Sequence, residues 1–140
     1  MTKEIVKNKA AIEAARIAAE KRAEAIKKIE TAIVHAIVES ALDYGCAVLH
    51  HDGEKYTSFS KLTKFTDKES EMERILKEIG SSETEMLRFK KNDKDIGDVI
   101  LIYGNDGHDV VSEYTENTDM KKIMAVAEEL SKSYSAKSAA

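Results

Sequence analysis

The stretch 99–115, VILIYGNDGHDVVSEYT, decides how this chain folds. Val99–Tyr103 is a continuous apolar run, rich in β-branched residues and too short for a helix, which predicts a buried strand. Gly104-Asn105-Asp106-Gly107 predicts a tight reversal: Asn and Asp tolerate turns, and Gly107 can take the positive φ of a type I turn with a G1 bulge. His108–Thr115 is then the returning strand. The register this turn sets pairs Gly104 with His108, Ile102 with Val110 and Leu101 with Val111. It also sets Tyr103 opposite Asp109 and Val99 opposite Glu113, which gathers a phenol and two carboxylates on one sheet face.

Outward from this hairpin the chain reads as short strands and amphipathic helices. Thr84–Lys90, with Met86, Leu87 and Phe89, predicts a strand that Asn92–Gly97 turns into the Val99 run. Cys46–His51 and Tyr56–Leu62 flank the hairpin signal Asp52-Gly53. Thr66-Asp67-Lys68-Glu69 has the form of a capping box, in which hydroxyl and carboxylate satisfy each other's free backbone N–H groups. The helix it opens carries Met72, Ile75, Leu76 and Ile79 on one face and stops at Gly80. Asn117 or Thr118 caps a last helix with an inner face of Met120, Ile123, Met124, Ala127 and Leu130. The order is α-ββ-α-βββ-α, with hairpin reversals and no crossover of the kind parallel strands need. An α+β protein with an antiparallel five-stranded sheet follows, with helices on one face and Val99–Tyr103 placed centrally.

Residues 3 to about 43 contain no Gly or Pro and are dense in Ala, Glu, Lys and Ile, the composition of one long helix. Ile5, Ile12, Ala19, Ile26 and Ile33 recur every seven residues. Ala15, Ile29 and Ala36 begin a companion row that Asn8 and Arg22 interrupt, so the spacing resembles a coiled-coil seam. From Ile26 the stripe broadens through Ile29, Ile33, Val34, Ile37, Val38, Ala41 and Leu42 into a face suited to a sheet. Asp43-Tyr44-Gly45 ends it. Such a helix is roughly 60 Å long at ~1.5 Å per residue, whereas a body of about 95 residues has a radius of gyration near ~12–13 Å. Its first half must overhang. The expected organisation is an oligomerisation arm over 1–28, an α+β domain over 29–134 and a fraying tail over 135–140.

Charge follows the same division. The net charge is −4 over 140 residues, but residues 1–28 hold eight Lys or Arg against four Glu, so the arm is +4 and the remainder −8. An acidic body does not attract nucleic acid, and the arm is mixed in sign, so it reads as a solvated helix face. The one cysteine, Cys46, excludes an internal disulfide and suits a reducing, cytoplasmic setting. No signal peptide or bilayer-length apolar run is visible.

Several constellations resemble chemistry but have plainer structural readings. In His50-His51-Asp52, neighbouring strand residues point to opposite faces, so both imidazoles cannot meet one ion. Cys46 and His50 share a face, yet two further zinc ligands are missing. Nothing flanks Cys46 with the positive charge that would activate a thiol. His35, between apolar helix residues, reads as a core or interface histidine. Phosphate loops lie between a strand and a helix, and the GNDG loop lies between two strands. No metal, cofactor or catalytic residue is therefore assigned. The candidate binding residues are Tyr103, Asp109 and Glu113, which could do acid–base work if desolvated, and His108 beside them.

The segments HDGEKYTSF (51–59) and EMLRFKKNDKDIGDVILIYGNDGHDVVSEYT (85–115), with the final helix, resemble a set of small uncharacterised bacterial, plasmid and phage proteins. In these a DGE-plus-aromatic hairpin precedes a second hairpin reading YGNDG, a variable residue and a DV-rich strand. The likeness spans roughly residues 30–130, and YGNDG-x-DV is its most specific part. His108 fills the variable position where the family carries Trp, and Tyr56 replaces a Trp after the first turn. The resemblance implies a mobile-element or accessory protein in the host cytoplasm, such as an inhibitor of a defence system, and assigns no functional residue. The reading is a non-enzymatic protein that self-associates through Ile5, Ile12, Ala19, Ile26 and Ile33, with a host protein as a further partner and no membrane. The alternatives are an assembly component docking through its long helix, or a small enzyme using the Tyr103/Asp109/Glu113 face.

Overall fold

A computed structural model describes residues 3–139, and the side chains of residues 8–137. Helix α1 spans Lys3–Asp43, followed by β1 (Ala47–His51), β2 (Tyr56–Ser60), α2 (Lys68–Leu76), β3 (Thr84–Lys91), β4 (Lys94–Ile102), β5 (Val111–Tyr114) and α3 (Thr118–Ala139). The strands form one antiparallel sheet in the order β2-β1-β3-β4-β5. The protein is α+β with the predicted element order; β4 lies inside the sheet between β3 and β5, but the central strand is β3 rather than the Val99 run, because β1 and β2 both add on the far side of β3.

Alternation along the strands decides which face is covered. Val48, Leu87, Phe89, Val99 and Leu101 are buried, whereas Leu49, Met86, Arg88, Asp98 and Ile100 between them are only half-buried. Against the buried face pack Ile33, Val34, Ile37, Val38, Ala41 and Leu42 of α1, Met72 and Ile75 of α2, and Met120, Ile123, Met124 and Ala127 of α3. No helix lies on the other face among the described residues. Gly97 marks a close approach of α3 to the sheet, since a Cβ there would stand 2.6 Å from the Met120 side chain.

The local departures from expectation each have a physical cause. The α2 cap is Asp67, whose carboxylate accepts the Ser70 N–H at 3.2 Å. The Thr66 hydroxyl is turned back instead, accepting from Thr63 N–H and donating to the Lys61 carbonyl. A carboxylate is the better acceptor at the positive end of a helix, so the cap sits one residue later than the capping-box pattern implies. Asn117 caps α3, accepting the Met120 N–H at 2.8 Å. Strand β4 begins at Lys94 rather than after Gly97, because Asn92 and Asp93 both adopt positive φ and reverse the chain within two residues. A bulge in β4 opposite Phe89 and Lys90 then leaves Ile96 as the extra, unpaired residue. His35 is exposed, not in the core, and α3 continues as helix to Ala139.

The decisive hairpin keeps its strands but not its tight turn. Leu101 pairs with Val111 as expected, and Ile102 N–H donates to the Val110 carbonyl at 2.8 Å. Gly104 and His108 are not ladder partners, and β5 starts at Val111 instead of His108. Tyr103 N–H is diverted to the Glu83 carbonyl at 2.9 Å, and Gly104 N–H to the Glu30 carboxylate at 2.7 Å. Tertiary partners therefore open the turn and pin it to α1. Gly107 completes that docking. At φ +94° it lies so close to α1 that a Cβ would stand 3.1 Å from Ile29.

A bulge at Ile100/Leu101 also shifts the register beyond the turn. Val99 faces Tyr114, and Glu113 faces Ile100, so the predicted Val99–Glu113 pairing is not formed.

Candidate functional site

The elements above distribute the predicted site residues rather than gathering them. Tyr103 turns inward to a cleft between α1 and the end of α2. Asp109 stays exposed in the 103–110 loop, where its carboxylate accepts the Asp106 N–H at 3.1 Å. Glu113 and His108 belong to a separate groove between β5 and α3. The residues expected to make one acid–base face thus lie in different surroundings. The physical reason is the opened turn together with the bulge in β5.

The most elaborate polar cluster is one that sequence reasoning missed. His50 and Glu85 are fully buried and face each other from β1 and β3, with His50 Nε2 against a Glu85 carboxylate oxygen. His50 Nδ1 meets the Thr57 hydroxyl, Glu85 Oε1 accepts the Gly80 N–H at 2.6 Å, and Ser81 donates to Oε2 at 3.3 Å. A proton on Nε2 given to the carboxylate leaves Nδ1 free to accept from Thr57, so every strong polar group in the pair is satisfied. His50 is four residues from Cys46, with Val48 between them on the buried face. The Cys46 thiol is buried as well, and that burial raises its pKa. Among the described residues no three His, Cys, Asp or Glu are grouped as a metal site would require.

Tyr103 abuts this cluster. Its hydroxyl is buried with no hydrogen-bond partner among the described residues, and its pKa is driven far up by burial first and then by the Glu85 and Glu30 charges. The cleft beside it holds about 340 Å3 and is lined by Glu30, Val34, Leu76, Ile79 and Gly80, among others. Glu30 is 6% exposed. Burial, together with the Asp109 charge, raises its pKa against the lowering effect of the Gly104 N–H. A carboxyl with a raised pKa in the folded state binds more protons there than when unfolded, so stability falls as pH rises from the unfolded to the folded pKa. Denaturant titrations across the acid range should show this slope in the parent chain and its loss in Glu30→Gln. An unchanged slope would place the effect elsewhere.

Besides the open face of the sheet, two further surfaces lie without cover. Every described side chain from Asn8 to Ala25 on α1 is exposed, with Ile12 at 69% and Ile17 at 41%. Burial starts with Ile26 and Ile29 where the 103–110 loop meets the helix, and is complete at Ile33. The seam position predicted at Ile5 lies outside the described side chains. Of the rest of the stripe, Ile33 is core, Ile26 is half-buried, and Ile12 and Ala19 are free. The second surface is the β5–α3 groove, which His108 lines with Nδ1 buried and unpartnered among the described residues. No helix of the described residues is long and apolar enough to cross a membrane. Comparison with protein-family models, curated proteins and solved structures finds no match to this chain.

Proposed function

We propose that this chain is a non-enzymatic binding protein that self-associates through its N-terminal helix. One observation carries the reading: the apolar stripe that is core at Ile33 continues in line onto an arm whose described side chains, residues 8–25, are all exposed. Most helical stability in proteins comes from the packing of an apolar face, packing that the arm lacks, so a surface that covers the stripe stabilises it. Each isoleucine moved from water into a packed seam contributes roughly 1.5–3 kcal/mol, enough to offset ordering if several engage. The likeness of the YGNDG-x-DV core to phage and plasmid proteins supports an accessory role against a host process, with a host protein as the second partner.

Deleting residues 1–24 is the direct test. The truncated chain should fold, because the α1 residues that cover the sheet begin near Glu30 and Ile33. It should be a monomer by light scattering, while the full-length chain scatters as an oligomer. Equal monomer masses for both would sink the reading.

A further inference from the structure

The β5–α3 groove is partly apolar and acidic on balance, and we propose that it receives the N-terminal helix of a second copy of this chain. This rests on the reading that the arm self-associates and names the surface the arm binds. The groove holds about 470 Å3 and is lined by the apolar Val111, Met124 and Ala127, by three carboxylates, Glu113, Glu116 and Glu128, and by one ammonium, Lys132, so its charge is acidic on balance. Glu128 accepts from the Tyr114 hydroxyl, but Glu113 and Glu116 are exposed and form no salt bridge among the described residues.

The arm is complementary in shape and charge. At about 100° per residue, Ile12, Ala15, Ala19 and Ile26 share one side of α1, with Lys9, Arg16 and Lys27 along one border and Arg22 along the other. Glu13, Glu20 and Glu24 fall behind that first border, where Glu13 and Glu20 tie back Arg16. Lys9, Arg22 and Lys27 are left to flank the apolar side. From Met124 to Lys132 the groove wall runs roughly 12 Å at ~1.5 Å per residue, about two turns of helix. That matches the Ile12–Ala19 segment.

The occupant cannot be the chain's own arm. Residues 3–43 contain no Gly or Pro and form one unbroken helix, so the arm has no hinge on which to fold back. Pairing two arms in parallel is the poorer solution, since that seam sets Arg22 against Arg22 in its companion row. An acidic groove removes that repulsion, and reciprocal seating of two arms closes a two-fold dimer.

The full-length chain carries the test, by sedimentation velocity over a concentration series. Glu113→Lys with Glu116→Lys, and separately Lys9→Glu with Arg22→Glu, should each weaken the dimer about ten-fold or more. All four together should restore it to within about three-fold. Ile12→Asp should give a monomer whichever surface the arm meets. If Ile12→Asp dissociates the oligomer while the Glu113/Glu116 reversal has no effect, the arm reading stands and the groove is wrong. Weakening that the four-fold variant does not restore, with melting unchanged, also overturns the groove. A full-length monomer throughout overturns both.

Discussion

Glu85→Ala is expected to destabilise the fold by about 3–5 kcal/mol, the usual result of stripping one partner from a buried, hydrogen-bonded pair. The substitution leaves the fully buried His50 without its acceptor and Gly80 N–H and the Ser81 hydroxyl without theirs. Glu85→Gln keeps an acceptor oxygen for Gly80 and should cost less. His50→Leu combined with Glu85→Leu removes both members at once, so it should lose less than either alanine variant does. Denaturant unfolding of the series measures the difference. A loss below about 1 kcal/mol for Glu85→Ala would mean that the pair contributes little to holding β1, β3 and the Gly80–Ser81 turn together.

Leu101→Ala is expected to lose about 2–5 kcal/mol, because Leu101 is fully buried on an interior strand and truncation there leaves a cavity. Ile102 has the same claim in the sequence, being its neighbour in one apolar run. Alternation places Ile102 on the uncovered face, half-buried, so Ile102→Ala should lose clearly less than Leu101→Ala. Equal losses in urea melts would show that both faces of β4 are packed.

The fold was legible where local chemistry and burial agree. The absence of Gly and Pro over 3–43 marked the length of α1, and one-face spacing found the inner residues of α3. Apolar runs between turn signals found the five strands and their antiparallel sense. Where two acceptors competed for one backbone donor, the pattern was ambiguous by a residue, as at Thr66 and Asp67. The candidate site was much less legible. Tyr103, Asp109 and Glu113 align on paper only if the 103–110 turn is tight and β5 has no bulge, and both conditions depend on groups far away in sequence.

The sequence by itself determined that the chain is α+β, that its sheet is antiparallel, and that its first helix is longer than the body it serves. These follow from hydrophobic period, turn chemistry and length, which are local properties. Only the tertiary structure decided that Glu30 draws Gly104 into a wider loop, that His50 meets Glu85 across 35 positions, and that the apolar stripe of α1 loses its cover at Ile26. A hydrogen bond between distant residues leaves no trace in periodicity. The strength of a buried acceptor, and the point at which a neighbouring loop ends, exist only once the chain has packed.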